Sequence, residues 1–339
     1  MNQISILGVD LGKSSFQLHG NDEQGREVLT RKVSRQKLLT MLATLPPCVV
    51  AMEACGGSHY WAQEIEKLGH QVKQIPPQEV KPFVKRYKTD ARDAAAIAEC
   101  AARPSTRVVA QKSPEQVDIQ SIHRVRDRLV RERTAIANEL RGLLLERGIV
   151  GQQGRAGLQQ LLTNLAEREE DISPLFRELI LDLWQQWRDR DEAVDRYGHQ
   201  LEQLGKEHEI CKKLMQIPGI GSINATLLFS YAGNGHQYPN GRDFSASLGL
   251  VPKQHSTGGR DLLLGISKRG NKQLRKQLVH GARAAYRWFL NEKEPSRIGT
   301  WVKRLAQRKH PNQVIVALAN KLARIAWKVM ARNEAYRAM

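Results

Sequence analysis

The sequence has few cysteines and no long apolar run, and each shortage excludes a class of protein. Its four cysteines are scattered over 339 residues without a Cys-x-x-Cys pair, which argues against a zinc site and a disulfide framework and favours a reducing, cytoplasmic location. No run of about 18 apolar residues occurs, so no transmembrane helix is predicted. The N-terminus lacks a basic segment before its apolar stretch, so we expect a first strand there and no signal peptide. A hydrophobic content of 41% is typical of a folded, soluble protein.

Acidic residues are also scarce, and their scarcity is concentrated in one part of the chain. The formal net charge is +18, from 53 Lys and Arg against 35 Asp and Glu. Residues 1–110 carry a net +4, residues 111–210 a net −4, and residues 211–339, with 23 basic and 5 acidic side chains, a net +18. A merely solvated basic surface is one interpretation, but a block this uneven favours binding to the phosphate backbone of a nucleic acid.

The hydrophobic pattern predicts three domains with different folds. Residues 1–110 show short apolar strands alternating with helices, which is an α/β pattern. Residues 111–210 are charged, with Leu and Ile at helical spacing, and predict a helical hairpin or coiled coil that acts as a spacer or an oligomerisation element. Residues 211–339 predict mainly basic helices joined by glycine-rich loops. No internal repeat or low-complexity tract is present.

Four acidic residues in the first domain stand where a catalytic metal site could form. Asp10 ends the first predicted strand, and Glu53 directly follows a second buried strand. Asp90 and Asp93 are three residues apart on one predicted helix, so they share a face. Carboxylate oxygens are the ligands that Mg²⁺ (or Mn²⁺) prefers, and two such ions about 4 Å apart can hold the attacking and leaving oxygens of a phosphoryl displacement.

Each of these acids also has a structural interpretation. Asp10 could cap a turn, and Lys88 with Arg92 could offset the charges of the two helical aspartates. Taken together, however, the strand and helix order with acids at these positions is the pattern of an RNase H-like nuclease domain.

The third domain begins with the motif Ile-Pro-Gly-Ile-Gly at residues 217–221, followed by an apolar helix. This pattern resembles a helix-hairpin-helix element, in which Gly219 and Gly221 would let backbone N–H groups approach a DNA phosphate at a helix N-terminus. A tight helix-to-helix turn with no DNA contact is the alternative.

A hydroxyl-bearing loop follows at Ser256-Thr257-Gly258-Gly259. A serine there could attack a phosphate, but it would need a base, a metal ion or cationic surroundings. His255 could be that base, and a purely phosphate-binding or turn-forming Ser/Thr is the alternative. Four cations near this loop in sequence are candidate nucleic-acid contacts: Lys253, Arg260, Lys268 and Arg269.

Several of these motifs together resemble one known family. The chain resembles the DEDD-type insertion-sequence transposases, which are serine-dependent recombinases guided by an element-encoded bridge RNA. The resemblance spans nearly the whole chain, in the right order. It is carried by residues 9–10, 12–13, 52–56, 88–94, 217–221 and 249–271.

This resemblance implies a RuvC-like N-terminal domain, a coiled-coil middle and a C-terminal transposase domain. It implies that the four acids form the metal-binding tetrad and that a C-terminal serine becomes covalently linked to DNA. Ser256 is the best positional match. Members of the family often have the serine directly before the glycine, where this chain has Thr257, so Thr257 is the alternative nucleophile.

The resemblance also implies partners and a setting. We expect donor and target DNA, a noncoding guide RNA, and a dimer or tetramer whose protomers share a composite site. We expect no membrane partner. The setting would be a prokaryotic cytoplasm, with nucleoid association during the reaction. Two other functions stay open: a RuvC-like endonuclease that uses activated water, and a non-catalytic nucleic-acid-binding protein. The clustered carboxylates argue against the latter, because without a metal they would repel phosphates.

Overall fold

The computed structural model describes residues 3–84, 89–167 and 173–337. Lys88 therefore lies outside the described residues. The chain forms two compact units, Met1–Ser113 and Pro114–Met339. From Pro114 onward, the middle and C-terminal regions expected at 111–210 and 211–339 fall within the second unit, because the long helices of the former pack against helices of the latter. The three-domain division stays a prediction.

The first unit is a five-stranded sheet with helices. Its strands have the order β3-β2-β1-β4-β5, in which β1, β2 and β3 are antiparallel neighbours and β4 and β5 continue parallel to β1. The strands are β1 (Ile6–Leu11), β2 (Ser15–Asn21), β3 (Glu27–Ser34), β4 (Val49–Glu53) and β5 (Gln71–Ile75). The helices are α1 (Leu38–Leu42), α2 (Ser58–Glu66), α3 (Pro77–Val80) and α4 (Asp90–Ala101).

The central strands β1 and β4 are apolar because both of their faces are covered. One face packs Leu7 and Val9 against Trp61 of α2. The other face packs against α4, and Gly8 allows that close approach. A Cβ at Gly8 would lie only 2.2 Å from the Ala94 carbonyl oxygen, so any larger residue would push α4 away from the sheet.

The second unit is mainly helical. The long helices α5 and α7 pack antiparallel, with Arg133 of α5 bonded to Asp191 of α7 at 2.8 Å. A supercoiled geometry for this pair stays a prediction. The helices are α5 (Pro114–Leu145), α6 (Gly154–Glu167), α7 (Pro174–Glu207), α8 (Glu209–Met215), α9 (Ser222–Ala232), α10 (Gly241–Ser247), α11 (Lys272–Asn291), α12 (Arg297–Ala306) and α13 (Pro311–Arg332).

Helix α9 is at the centre of this unit. Its sequence is apolar nearly all round, as expected of a helix with no solvent face. It packs against α5, α7, α8 and α11, and its Leu228 is fully buried. Ile119 of α5 and Leu201 of α7 belong to the same hydrophobic core.

The predicted loop around Ser256 is wrong. The structure has an antiparallel hairpin there, formed by β6 (Pro252–Thr257) and β7 (Arg260–Ile266). Gly258 and Gly259, with φ of 55° and 78°, form its two-residue turn, which is the geometry that glycine allows. The hairpin is exposed on both sides, so its sequence lacks the alternation that marks a half-buried strand. Within the described ranges, no helix combines the length and apolar composition needed to cross a membrane.

Candidate catalytic sites

Two of the four predicted acids are neighbours at the carboxyl ends of parallel strands. Val9 of β1 lies opposite Met52 of β4, so the next residues along the two strands, Asp10 and Glu53, stand side by side. Side chains alternate along a strand, so Asp10 lies on the face of Gly8, the face that α4 covers. Both carboxylates are partly buried.

The other two acids lie in the first turn of α4, the helix that packs on β1. Gly8 meets Ala94 and Ala98, one and two turns into the helix, so α4 covers the strand face that also carries Asp10. Thr89 caps this start, with its hydroxyl accepting a hydrogen bond from the Arg92 backbone N–H at 3.4 Å. Asp90 and Asp93 follow the cap, where carboxylates stabilise the positive end of the helix dipole.

The pKa of the Cys55 thiol, which follows β4, is raised most by burial and in part by the charges of Glu53 and Asp10. The donors at this edge are hard oxygens, which fit a divalent cation. In residues 3–84, 89–167 and 173–337, however, no group of three or more His, Cys, Asp or Glu side chains has the arrangement of a formed metal site.

The hairpin gives Ser256 two polar partners. The Ser256 hydroxyl donates to Asp261 Oδ1 at 2.5 Å, because the two residues are paired across the hairpin. Gln254 Nε2 donates to Ser256 Oγ at 2.7 Å and to Asp261 Oδ1 at 3.2 Å. The bonds from Ser256 and then Gln254 hold the pKa of Asp261 below its ordinary value. Asp261 and Gln254 were not predicted, although a two-residue Gly-Gly turn pairs residue 256 with residue 261.

The other candidates in this segment lie on the opposite face of the hairpin. His255 and Thr257 flank Ser256 in β6, and adjacent residues of a strand point to opposite sides. His255 is therefore poorly placed to act as the base for Ser256. Arg260 pairs with Thr257 and shares its face. Lys253 is exposed near the base of the hairpin.

Two motif segments, 249–252 and 267–271, close the base of the hairpin against each other. Lys268 N–H donates to the Gly249 carbonyl at 3.1 Å, and Ser267 N–H donates to the Val251 carbonyl at 2.8 Å. A Cβ at Gly270 would lie 1.8 Å from the Ser247 carbonyl oxygen, so this contact requires glycine. The side chains of Lys268 and Arg269 are exposed and available to a phosphate.

The Ile-Pro-Gly-Ile-Gly turn joins α8 to α9, and its two glycines differ. A Cβ at Gly219 would lie 2.5 Å from the Gly281 carbonyl oxygen of α11, so Gly219 serves helix packing. Gly221 is exposed at the N-terminus of α9 and has open space around it. Of the two, only Gly221 has the accessibility that a phosphate contact needs.

Comparisons with known proteins identify the family to which the chain belongs. A family model of DEDD-type transposases matches residues 7–148, and a second, described as "Transposase IS116/IS110/IS902 family", matches residues 211–296. A "Probable family 20 transposase" of Pseudomonas aeruginosa is 45% identical over 336 residues, covering 98% of this chain and 99% of the relative. The transposase for insertion sequence element IS1328 of Yersinia enterocolitica is 43% identical, with 99% of both chains covered. The transposase for insertion sequence element IS1111A of Coxiella burnetii is 42% identical, covering 99% of this chain and 92% of the relative. The chain therefore belongs to the IS110/IS116 family of DEDD transposases and is a DNA transposase of the insertion-sequence type.

Proposed function

We propose that this transposase cuts and rejoins DNA through a covalent bond between Ser256 and a backbone phosphate, with Mg²⁺ on the acidic edge of the first unit. The single observation that carries the proposal is the Ser256–Asp261 hydrogen bond on an exposed hairpin, because it links a nucleophile to an acceptor for its proton.

The first unit supports an RNase H-like (RuvC-like) nuclease fold. Its strand order β3-β2-β1-β4-β5, with three antiparallel strands followed by two parallel to β1, matches that fold class. The acids Asp10 and Glu53 lie at the carboxyl ends of its central parallel strands, where open α/β sheets place their sites.

In the proposed step, Ser256 Oγ forms a bond to phosphorus and the bond from phosphorus to one sugar oxygen breaks. The sugar oxygen leaves as an alcohol after taking up a proton. Asp261 orients the attacking hydroxyl and is the group placed to accept its proton. Rejoining is the reverse reaction, in which a sugar hydroxyl of another strand displaces Ser256 and the serine regains its proton.

Membership of a DEDD-type family implies that the reaction uses a divalent metal ion. We assign Mg²⁺ to Asp10, Glu53, Asp90 and Asp93, whose carboxylates supply hard oxygen ligands. When bound, the metal offsets charge on the reacting phosphate. The chain's own contribution is to hold two carboxylates on neighbouring strand ends and two on a capped helix start.

The proposal includes the partners that the family resemblance implies. Donor and target DNA and a noncoding bridge RNA would be bound mainly by residues 211–339, which carry 23 basic and 5 acidic side chains. The active form would be a dimer or tetramer, acting at the nucleoid of a prokaryotic cell.

Trapping of the protein–DNA adduct tests the nucleophile. The full chain is incubated with Mg²⁺, end-labelled DNA from its own element and the adjacent noncoding RNA, and adducts are separated on a denaturing gel. We expect an adduct with the wild-type chain and with Thr257→Ala, and none with Ser256→Ala.

Three other results would refute parts of the proposal. An adduct with Ser256→Ala that disappears with Thr257→Ala would move the nucleophile to Thr257. Cleaved DNA without any adduct would instead indicate an endonuclease that uses water. Adducts at the same level without RNA would show that the reaction needs no guide RNA.

A further inference from the structure

A large groove in the second unit lies beside the hairpin, and the chemistry proposed above does not use it. The groove has a volume of about 1440 Å³. It is formed by α10, α12 and α13 together with the base of the hairpin. Helix α13 contributes the longest stretch of its lining, from Asn312 to Lys328, and Leu263 and Leu264 of β7 line it on the hairpin side.

The groove is positively charged. Five cationic side chains line it, and none of its described lining residues is acidic. Lys321, Arg324 and Lys328 follow one another at spacings of three and four, so they share one face of α13. Burial and then the charges of Arg324 and Arg297 lower the pKa of Lys321, which shows that cations are crowded here. A bound polyanion would relieve this repulsion.

Aromatic and amide groups accompany the cations. Trp301 and Trp327 both line the groove, and both are partly exposed. Lys321 Nζ lies 4.4 Å from the centroid of the Trp301 ring, and Trp327 Nε1 donates to the Gly235 carbonyl at 3.0 Å, which fixes that ring. Four amide side chains also line the groove, and two of them, Asn240 and Asn320, already bond within the protein: Asn240, Asn312, Gln313 and Asn320.

This combination is suited to unpaired nucleotides. Aromatic rings stack on bases, amides bond to base edges and cations hold phosphates, but stacking and edge recognition need bases that are not stacked inside a duplex.

One residue of the groove lies on the hairpin face that carries the proposed nucleophile. Leu263 pairs with Gln254 across the hairpin, so it shares the face of Ser256 and Asp261. Away from the hairpin, a second cavity of about 590 Å³ shares Lys321 and Lys328 with the groove. That cavity extends the cationic path to Arg332 and Arg337, with Glu334 as its one acidic lining residue among those described.

We infer that this groove binds an unpaired segment of the DNA strand that Ser256 attacks, with bases on Trp301 and Trp327 and phosphates on the cations of α13. The inference rests on the proposed function, since it assigns the strand in the groove to the substrate of Ser256. DNA is chosen over RNA because Leu263, which lines the groove, lies on the hairpin face that carries Ser256.

Equilibrium binding tests the groove separately from the chemistry. Fluorescence anisotropy of the full chain is measured with a labelled single-stranded DNA of about 12 nucleotides, its duplex, and single-stranded RNA of the same sequence. We expect Trp301→Leu to weaken single-stranded DNA binding by about fivefold or more and duplex binding by less than about twofold. The matched control is Trp288→Leu, which removes an exposed tryptophan of α11 outside the groove and should leave both affinities unchanged.

The cations are tested through the salt dependence of binding. For the double variant Arg324→Gln/Lys328→Gln, the slope of log affinity against log salt on single-stranded DNA should fall by about 1.4, because each phosphate contact contributes about 0.7. The control Arg283→Gln/Arg287→Gln removes two exposed cations of α11 and should leave the slope unchanged. If Trp301→Leu proves unstable, the salt slope decides alone, and an unchanged slope for Arg324→Gln/Lys328→Gln would overturn the inference.

Three results would overturn the inference: equal losses for Trp301→Leu and Trp288→Leu, equal losses for duplex and single strand, or a loss confined to RNA. The results also separate failure of the proposed function from failure of the groove inference. Absence of a wild-type adduct would refute Ser256 as nucleophile, whereas a Trp301→Leu chain with unchanged affinity and normal adducts would refute the groove alone.

Discussion

At the scale of single residues, the proposed role of Asp261 as proton acceptor for Ser256 can be tested directly. Asp261 accepts the Ser256 hydroxyl at 2.5 Å, and its pKa lies below the ordinary value because of that bond and the bond from Gln254. Asp261 is therefore ionised at neutral pH, and its Oδ1 is the atom to which the Ser256 hydroxyl already donates.

We predict that Asp261→Asn slows adduct formation by about 10²-fold while DNA affinity changes little, because an amide keeps the shape but cannot accept the proton. The rate of adduct formation as a function of pH is the measurement, and the wild-type loss of rate at acid pH should disappear in the variant. Glu294→Gln removes an exposed acid elsewhere in the unit and is the control for charge. An Asp261→Asn chain with wild-type rates would leave Asp261 no role in the reaction.

At this scale the sequence identifies residue types better than their partners. The acids Asp10 and Glu53 were predictable because a carboxylate after a buried strand is a local feature of the sequence. Asp261 was not, because its role depends on strand pairing, and the paired strands are too exposed to be recognised from hydrophobic alternation. Gly219 shows the converse: its motif favours a phosphate contact, yet the space beside it is taken up by α11.

Among the elements, α5 and α9 are joined by a buried polar contact that should make stability depend on pH. The Thr226 hydroxyl donates to the Ser222 carbonyl, so its oxygen accepts from Nε2–H of His123, which is buried. Burial, and then the charge of Arg126, lower the pKa of His123 from 6.5 to about 4. Between these two pH values the unfolded chain binds a proton that the folded chain excludes, so stability is full above pH 6.5 and falls as the pH drops towards 4.

The predicted loss for this one histidine is about 2 kcal/mol between pH 7 and pH 5. Urea unfolding of the wild-type chain and His123→Gln at both pH values measures it, because glutamine can still donate to Thr226 but does not titrate. The variant should lose about 2 kcal/mol less than the wild type over this interval. Equal losses would mean that His123 is protonated in the folded chain as readily as in the unfolded one.

Most elements of the fold were predictable, and those that were not share a physical cause. Hydrophobic periodicity predicts the strands of the first unit and the long helices α5, α7, α11 and α13. N-cap residues mark helix starts, such as Thr89 before α4 and Ser173 before α7. The short helices α1 and α3 were not predicted, because five and four residues are too few to show a helical hydrophobic periodicity.

For the whole molecule, charge and packing divide the chain at different places. The excess positive charge begins near residue 211, but the compact unit begins at Pro114. The reason is that α9, which is apolar on all sides, needs α5 and α7 to cover it. Composition therefore locates the part that we propose binds nucleic acid, and packing locates the part that we expect to fold.

This difference predicts how fragments of the chain behave. Residues 114–339 should form a folded protein with cooperative thermal unfolding, because that fragment retains the whole core around α9. Residues 211–339 should be poorly soluble or loosely packed, because removal of Ile119 and Leu201 exposes buried partners in that core. Circular dichroism melting and limited proteolysis compare the two.

The longer fragment should also show most of the salt-dependent DNA affinity of the full chain, since the helices it adds carry a net negative charge and the basic block is retained. A stable, cooperatively folded 211–339 fragment would show that α5 and α7 are dispensable for this core. Weak, salt-independent binding by 114–339 would show instead that DNA binding needs the first unit. The basic residues of 211–339 would then form only a solvated surface.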